Sequence, residues 1–150
     1  MKKEYYGIGI FETKEETNIG TLWRSAMNFG ADYIFTIGKR YKKQASDTTK
    51  TYRNIPLFHY KDWEDFMEHK PKDAQIVCIE QTDGATLLED FSHPKQAVYV
   101  LGAEDYGISE EMMRGHQKLE ITSPMCLNVA VAGSIVMYHR VTNLIKENQL

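Results

Sequence analysis

Apolar and polar positions follow two different periods along this chain, which predicts strands followed by helices. Residues 6–11 form a short run of β-branched and aromatic side chains typical of a buried strand. In the next segment apolar side chains recur at helical spacing, at Ile19, Leu22, Trp23, Ala26 and Phe29. The pattern therefore predicts a helix that is capped by Thr17 or Asn18 and stopped by Gly30.

The same patterns predict five further strands, at residues 33–37, 55–59, 75–79, 97–101 and 118–121. One short helix follows a cap at Asp62, and a second, at residues 109–113, is capped by Ser109. A long helix at residues 127–146 ends the pattern. Strands that alternate with helices predict an α/β fold, with a mostly parallel sheet and helices on both faces.

Three polar segments fall at the ends of predicted strands, at residues 80–82, 102–104 and 122–126. In a parallel sheet, ligands bind beyond the carboxyl ends of the strands. We therefore expect the three segments to converge on one site.

The chain has 150 residues, enough for one domain spanning residues 1–150, and a net charge of −3. Basic residues nevertheless cluster in one polar loop at Lys39, Arg40, Lys42, Lys43, Lys50 and Arg53, with Tyr41 and Tyr52 between them. Two interpretations stay open for this cluster. It contacts the phosphates and bases of a nucleic acid, or it is a solvated loop.

Several classes of protein fit the sequence poorly. The first residues are not followed by a signal-type apolar run, and the longest apolar stretch, residues 129–138, is too short to cross a bilayer. Cys78 and Cys126 lack metal-ligand spacing, so no metal is expected, and free thiols fit a reducing, cytosolic setting. The glycine pair at residues 7 and 9 lacks the third glycine of a dinucleotide-binding fingerprint.

Three segments carry the most specific signal, at residues 18–26, 101–107 and 125–133. In the last segment, a loop leads into a helix that begins with small and apolar residues. This pattern predicts that Asn128 is buried in the first helical turn. In this order the three segments resemble the motifs of the SpoU (TrmH-type) branch of the SPOUT RNA methyltransferases, over residues 9–138. The resemblance implies a C-terminal deep trefoil knot, bound S-adenosylmethionine, and a homodimer that completes the active site.

Catalytic roles follow from this resemblance for Arg24, Asn18, Glu104 and Asn128. The matching arginine has been cast as a base, but arginine stays protonated, so we prefer a role in clamping phosphate and stabilising the developing alkoxide. A surface ion pair is the alternative for Arg24, and helix capping for Asn18. Glu104 is expected to support the active-site loop or to pair with Arg24.

Cofactor contacts are implied for six positions: Glu80, Leu101, Gly102, Ile121, Cys126 and Leu127. Family members commonly have serine where this chain has Cys126. A thiol is a weaker hydrogen-bond donor than a hydroxyl, which puts the strength of catalysis in question.

The resemblance implies an S-adenosylmethionine-dependent RNA 2′-O-methyltransferase that acts on a transfer RNA rather than a ribosomal RNA. We expect the basic cluster to bind RNA, and the final helix to bury Val129, Val136 and Met137 in a homodimer. Two other functions stay open. One is a knotted module that binds cofactor or RNA with weak or no transferase activity, and the other is a flavodoxin-like domain.

Overall fold

The computed structural model describes residues 4–38, 54–103 and 107–148, with side chains described as far as Leu144. Seven strands form one parallel sheet: β1 (Tyr5–Phe11), β2 (Tyr33–Ile37), β3 (Leu57–Tyr60), β4 (Gln75–Ile79), β5 (Thr86–Leu87), β6 (Gln96–Gly102) and β7 (Gln117–Glu120). Their order across the sheet is β3-β2-β1-β6-β4-β7-β5. All the pairings are parallel, which confirms the predicted fold class.

Helices cover both faces of the sheet. They are α1 (Glu16–Asn28), α2 (Trp63–His69), α3 (Glu110–Met113) and α4 (Val129–Asn148), together with a short 3-10 helix (Leu88–Asp90). On one face, α4 lies close to α1 and β6. A Cβ added to Gly133 of α4 would meet the side chains of Leu22 in α1 and Leu101 in β6. On the other face, Phe66 of α2 stacks on Phe35 of β2, with ring centroids 5.2 Å apart.

The central strands are buried on both faces, which explains their nearly continuous apolar sequence. β1 pairs with β6 from Tyr5 opposite Gln96 to Phe11 opposite Gly102. All five interior residues of each strand are buried. The carboxyl ends of both strands therefore reach the same edge of the sheet.

Helix capping corrects two predictions. Asp62 and Ser109 cap α2 and α3 as expected, through side-chain oxygens that accept backbone N–H groups. The first helix begins at Glu16, so Thr17 and Asn18 both lie inside its first turn and neither caps it. Asn128 is exposed and precedes α4, where its Oδ1 accepts the N–H groups of residues 130 and 131. The expectation that Asn128 is buried within the helix was wrong.

Arg140 fixes the second half of α4 to the amino ends of β1 and β6. Arg140 is 2% exposed, and its guanidinium donates to the Lys95 carbonyl (2.8 Å) and to the Tyr99 hydroxyl (3.1 Å). The proton assignment that satisfies every group has Tyr99 donating to Nδ1 of His93 (2.7 Å). Nε2 of His93 then donates to Nδ1 of His139 (2.8 Å).

The buried face of α4 packs within its own chain. Val129, Val136 and Met137, which were expected at a subunit interface, are at most 4% exposed in the single chain. Their placement at an interface was wrong, because helical periodicity does not tell which partner covers an apolar face. In the ranges described, no helix is both long and apolar enough to cross a bilayer.

Candidate active site

A cavity of about 280 Å³ opens at the carboxyl edge of the sheet, beyond β4, β6 and β7. All six residues predicted to contact a cofactor line it: Glu80, Leu101, Gly102, Ile121, Cys126 and Leu127. They come together because parallel strands end at the same edge. The predicted convergence of the three polar segments is therefore confirmed, whereas cofactor binding by these side chains stays a prediction.

Glu80 occupies the space between two glycines. A Cβ on Gly102 would lie 2.3 Å from Oε2 of Glu80 and 2.9 Å from the Gly107 Cα atom. Gly107 adopts a left-handed φ of 59°, and a Cβ there would lie 2.8 Å from Oε1 of Glu80. Oε2 also accepts the Ile108 N–H at 3.3 Å. The two glycines thus let the backbone of this loop approach the carboxylate closely.

Burial raises the pKa of the Glu80 carboxyl, because desolvation penalises its charged form, and the Ile108 N–H partly offsets that rise. Among the described residues that line the cavity, no other carries a formal charge. The cavity is otherwise lined by apolar side chains, glycines and a few neutral polar groups.

Gln81 ties the end of β4 to the loop before α4. Its amide nitrogen donates to the Ser123 hydroxyl at 3.2 Å and to the carbonyl oxygen of Ile121 at 3.5 Å. The Cys126 thiol lies 3.6 Å from Oε1 of the same amide and donates to it. Gln81 belongs to the predicted segment at residues 80–82, but the sequence pattern assigned it no role of its own.

The first and third predicted segments meet beside this cavity. Asn128 donates from Nδ2 to Oδ1 of Asn18 at 3.1 Å, across 110 residues of sequence. Asn18 is buried and lines a second cavity of about 150 Å³. Both cavities share Ala103 and Val129, so they adjoin. Two asparagines of predicted catalytic function are thereby hydrogen-bonded to each other, and one of them lines the smaller cavity.

The second cavity contains residues that the sequence did not single out. Glu12, directly after β1, has a φ of 58°, a left-handed conformation that is uncommon outside glycine. Thr13 is buried in the same turn, and its hydroxyl donates to the Glu15 carbonyl at 3.4 Å. Backbone strain of this kind is often retained at functional sites, but no sequence pattern predicts it at a glutamate.

Arg24 lies on the exposed side of α1. It is not among the described residues that line either cavity. The catalytic role of Arg24 therefore stays a prediction. Glu104 and the predicted RNA-binding residues Lys39, Arg40, Lys42, Lys43 and Arg53 lie outside the described residues. Within the described ranges, no three His, Cys, Asp or Glu side chains are grouped to hold a metal ion.

The fold is shared with solved RNA methyltransferases. One was studied for the 2-OH methylation of C/U34 on tRNA, with a TM-score of 0.81, 19% identity, and coverage of 96% of this chain and 99% of that one. An AdoMet-bound rRNA methyltransferase from Sinorhizobium meliloti has a TM-score of 0.82 and 21% identity, over 95% of this chain and 58% of that one.

A tRNA-modifying TrmH/SpoU enzyme from A. aeolicus gives a TM-score of 0.79 and 22% identity, over 99% of this chain and 78% of that one. At these identities the likeness establishes the fold alone. No curated protein matches the sequence significantly. The model of the SpoU rRNA Methylase family, however, matches residues 7–138 and includes all three predicted motifs. The chain therefore belongs to the SpoU rRNA Methylase family.

Proposed function

We propose that this protein transfers the methyl group of S-adenosylmethionine to a ribose 2′-hydroxyl of RNA. The observation that carries the proposal is the meeting of the three motifs. Asn18 and Asn128 are hydrogen-bonded beside a cavity that Gly102 and Leu127 line. Family membership and the AdoMet-bound relative from Sinorhizobium meliloti support the same cofactor.

The residues of the larger cavity fit this cofactor. Its volume is close to the roughly 300 Å³ at the lower end of small-molecule sites. Leu101, Ile121 and Leu127 offer apolar surface to an adenine ring, and Gly102 leaves room for close backbone approach. When bound, S-adenosylmethionine supplies an electrophilic methyl group on a positively charged sulfur.

In the proposed reaction, the side chains of this protein orient the ribose and stabilise charge. The smaller cavity would receive the acceptor nucleotide, because it adjoins the larger one at Ala103 and Val129. Asn18 and Asn128 would orient the ribose. Arg24 would clamp a phosphate and stabilise the developing alkoxide, since a guanidinium stays protonated.

A homodimer would bring Arg24 to the site. α4 exposes Val131, Ile135 and Tyr138 on one face, and α1 exposes Met27. Exposed apolar side chains at helical spacing are typical of an interface. Arg24 is three residues from Met27 and so lies on the same side of α1. Pairing through these faces would place Arg24 at the subunit boundary, where the family completes its active site.

Transfer RNA is the proposed substrate, in preference to ribosomal RNA. Two relatives that share the fold, the one studied for tRNA methylation and the tRNA-modifying enzyme from A. aeolicus, support this preference. The basic cluster that contains Lys39 and Arg53 would contact the RNA backbone.

A binding module with little transferase activity is the second candidate, and Cys126 favours it. Its thiol donates to Gln81 at 3.6 Å, where family members commonly offer a serine hydroxyl. Because a thiol is a weak donor, this position would hold a phosphate or cofactor less firmly than serine.

The test is methyl transfer from a radiolabelled donor to separate transfer RNA and ribosomal RNA fractions that lack this modification. We expect label in the transfer RNA fraction, resistant to alkaline cleavage at the modified nucleotide. Label only in ribosomal RNA would contradict the substrate class. Saturable donor binding without transfer to either fraction would favour the binding module. Cys126→Ser then tests whether the hydroxyl restores transfer.

A further inference from the structure

Glu80 is half-buried in the larger cavity, and its charge is not matched by any other described lining residue. The neighbouring polar side chains, Gln81, Ser123 and Cys126, carry no formal positive charge. A carboxylate that is partly removed from water is costly unless an opposite charge or hydrogen bonds compensate it. One N–H group, from Ile108, contributes part of that compensation.

The position of this carboxylate is fixed by its surroundings. Oε2 is held at 3.3 Å by the Ile108 N–H, and the glycines at 102 and 107 leave just enough space for the carboxylate. Burial raises the pKa of Glu80, so water stabilises its charge less than it would at the surface. In such surroundings a charge acts on a ligand across the cavity more strongly than it would in bulk water.

We propose that Glu80 makes the cavity select the methyl donor, with its cationic sulfonium, over the demethylated product, whose sulfur is uncharged. This inference rests on the proposed function. In the transfer, the sulfur–methyl bond breaks and an oxygen–methyl bond forms. The bonding electron pair stays on sulfur, which changes from a cationic sulfonium to a neutral thioether, and the hydroxyl proton leaves to solvent. The reaction thus removes the positive charge that Glu80 attracts, which favours release of the product.

The test is calorimetric titration of the whole protein with S-adenosylmethionine and with S-adenosylhomocysteine. We expect the wild-type protein to bind the donor about tenfold more tightly, as a single opposite charge several ångströms away allows. Glu80→Gln keeps an oxygen that accepts the Ile108 N–H but removes the charge. It should weaken donor binding and leave product binding nearly unchanged, so that the preference disappears. Retained product binding also shows that the variant is folded.

Asp83→Asn is the matched control, because it makes the same change of net charge at an exposed residue that does not line the cavity. Its donor preference should equal that of the wild-type protein. Sinefungin, with an ammonium group in place of the sulfonium, provides a second probe. It should bind the wild-type protein more tightly than S-adenosylhomocysteine does, and lose this advantage in Glu80→Gln.

An unchanged donor preference in Glu80→Gln would overturn the proposal that the charge of Glu80 selects the donor. Equal weakening of both ligands would also overturn it, and would assign Glu80 to holding the loop at Gly107. If the wild-type protein binds neither ligand, the proposed function itself fails, which is a different result from either of these.

Discussion

Gly102 lies where β6 ends beneath the Glu80 carboxylate, and this position has no room for a side chain. We predict that Gly102→Ala lowers affinity for S-adenosylmethionine by about tenfold or more, because its Cβ would lie 2.9 Å from the Gly107 Cα atom. Gly20→Ala is the control. Its Cβ would meet nothing within 4 Å, so binding should be unchanged and stability should rise by about 0.5–1 kcal/mol. Calorimetric titration and urea unfolding measure both effects.

Arg24, exposed on α1, is the residue to which the family resemblance assigns the main catalytic role. If it stabilises charge on the ribose or phosphate, Arg24→Ala should lower turnover by about a hundredfold or more. Arg24→Lys should not restore turnover, because an ammonium cannot reproduce the bidentate guanidinium. Donor affinity should stay unchanged in both variants. Arg114→Ala, at another exposed arginine, serves as the control. Wild-type turnover in Arg24→Ala would favour the binding module.

The convergence of residues 80–82, 102–104 and 122–126 was predictable, because parallel strands bring their carboxyl ends to one edge. The six cofactor positions were implied by the family resemblance instead. The position of Asn128 was harder to predict, since helical periodicity does not distinguish a capping residue from a residue in the first helical turn. The role of Gln81 in holding the loop before α4 was not predicted, because it depends on a contact with Ser123, which is distant in sequence and close only after folding.

At the scale of elements, the long buried strands and the side-chain caps were the easiest to predict. β2 and β4 begin and end as expected, and Asp62 caps α2. β5 was not predicted, because two residues carry no periodic signal. The order of strands across the sheet also lay beyond the sequence pattern, since it depends on contacts between distant segments.

The junction of α4 with the start of β6 contains a pH-sensitive hydrogen-bond chain. Burial, with the nearby His139 and Arg140, lowers the pKa of His93 from 6.5 to about 3. An unfolded chain therefore binds a proton at His93 that the folded chain does not. The stabilising contribution is complete above about pH 6.5 and is lost as the pH falls towards 3.

We predict that His93→Gln flattens the loss of stability between about pH 7 and about pH 5, where one such group gives a slope of at most about 1.4 kcal/mol per pH unit. Urea unfolding at several pH values measures it. His69→Gln is the control, because Asp65 raises the pKa of His69 and gives it the opposite sign. Equal pH dependence in wild type and His93→Gln would remove His93 as the cause.

At the scale of the whole molecule, the exposed apolar face of α4 and α1 predicts a homodimer. A stable interface buries roughly 1,200–2,000 Å² in total. Ile135→Glu should give monomers, because two-fold symmetry would place two carboxylates in or near the same apolar interface. Met67→Glu, at an exposed position on α2, should remain dimeric. Sedimentation equilibrium distinguishes these outcomes, and a wild-type monomer at micromolar concentration would contradict the prediction.

The trefoil knot that the family implies also stays a prediction.

The most direct measurement follows the methyl group itself. The protein is incubated with trideuteromethyl S-adenosylmethionine and unmodified transfer RNA, and the RNA is digested to nucleosides for tandem mass spectrometry. We predict that the added mass lies on the ribose of one nucleoside and is absent from its base fragment. A label on the base, or no label in RNA although the donor binds the protein, would contradict 2′-O-methyl transfer at this site.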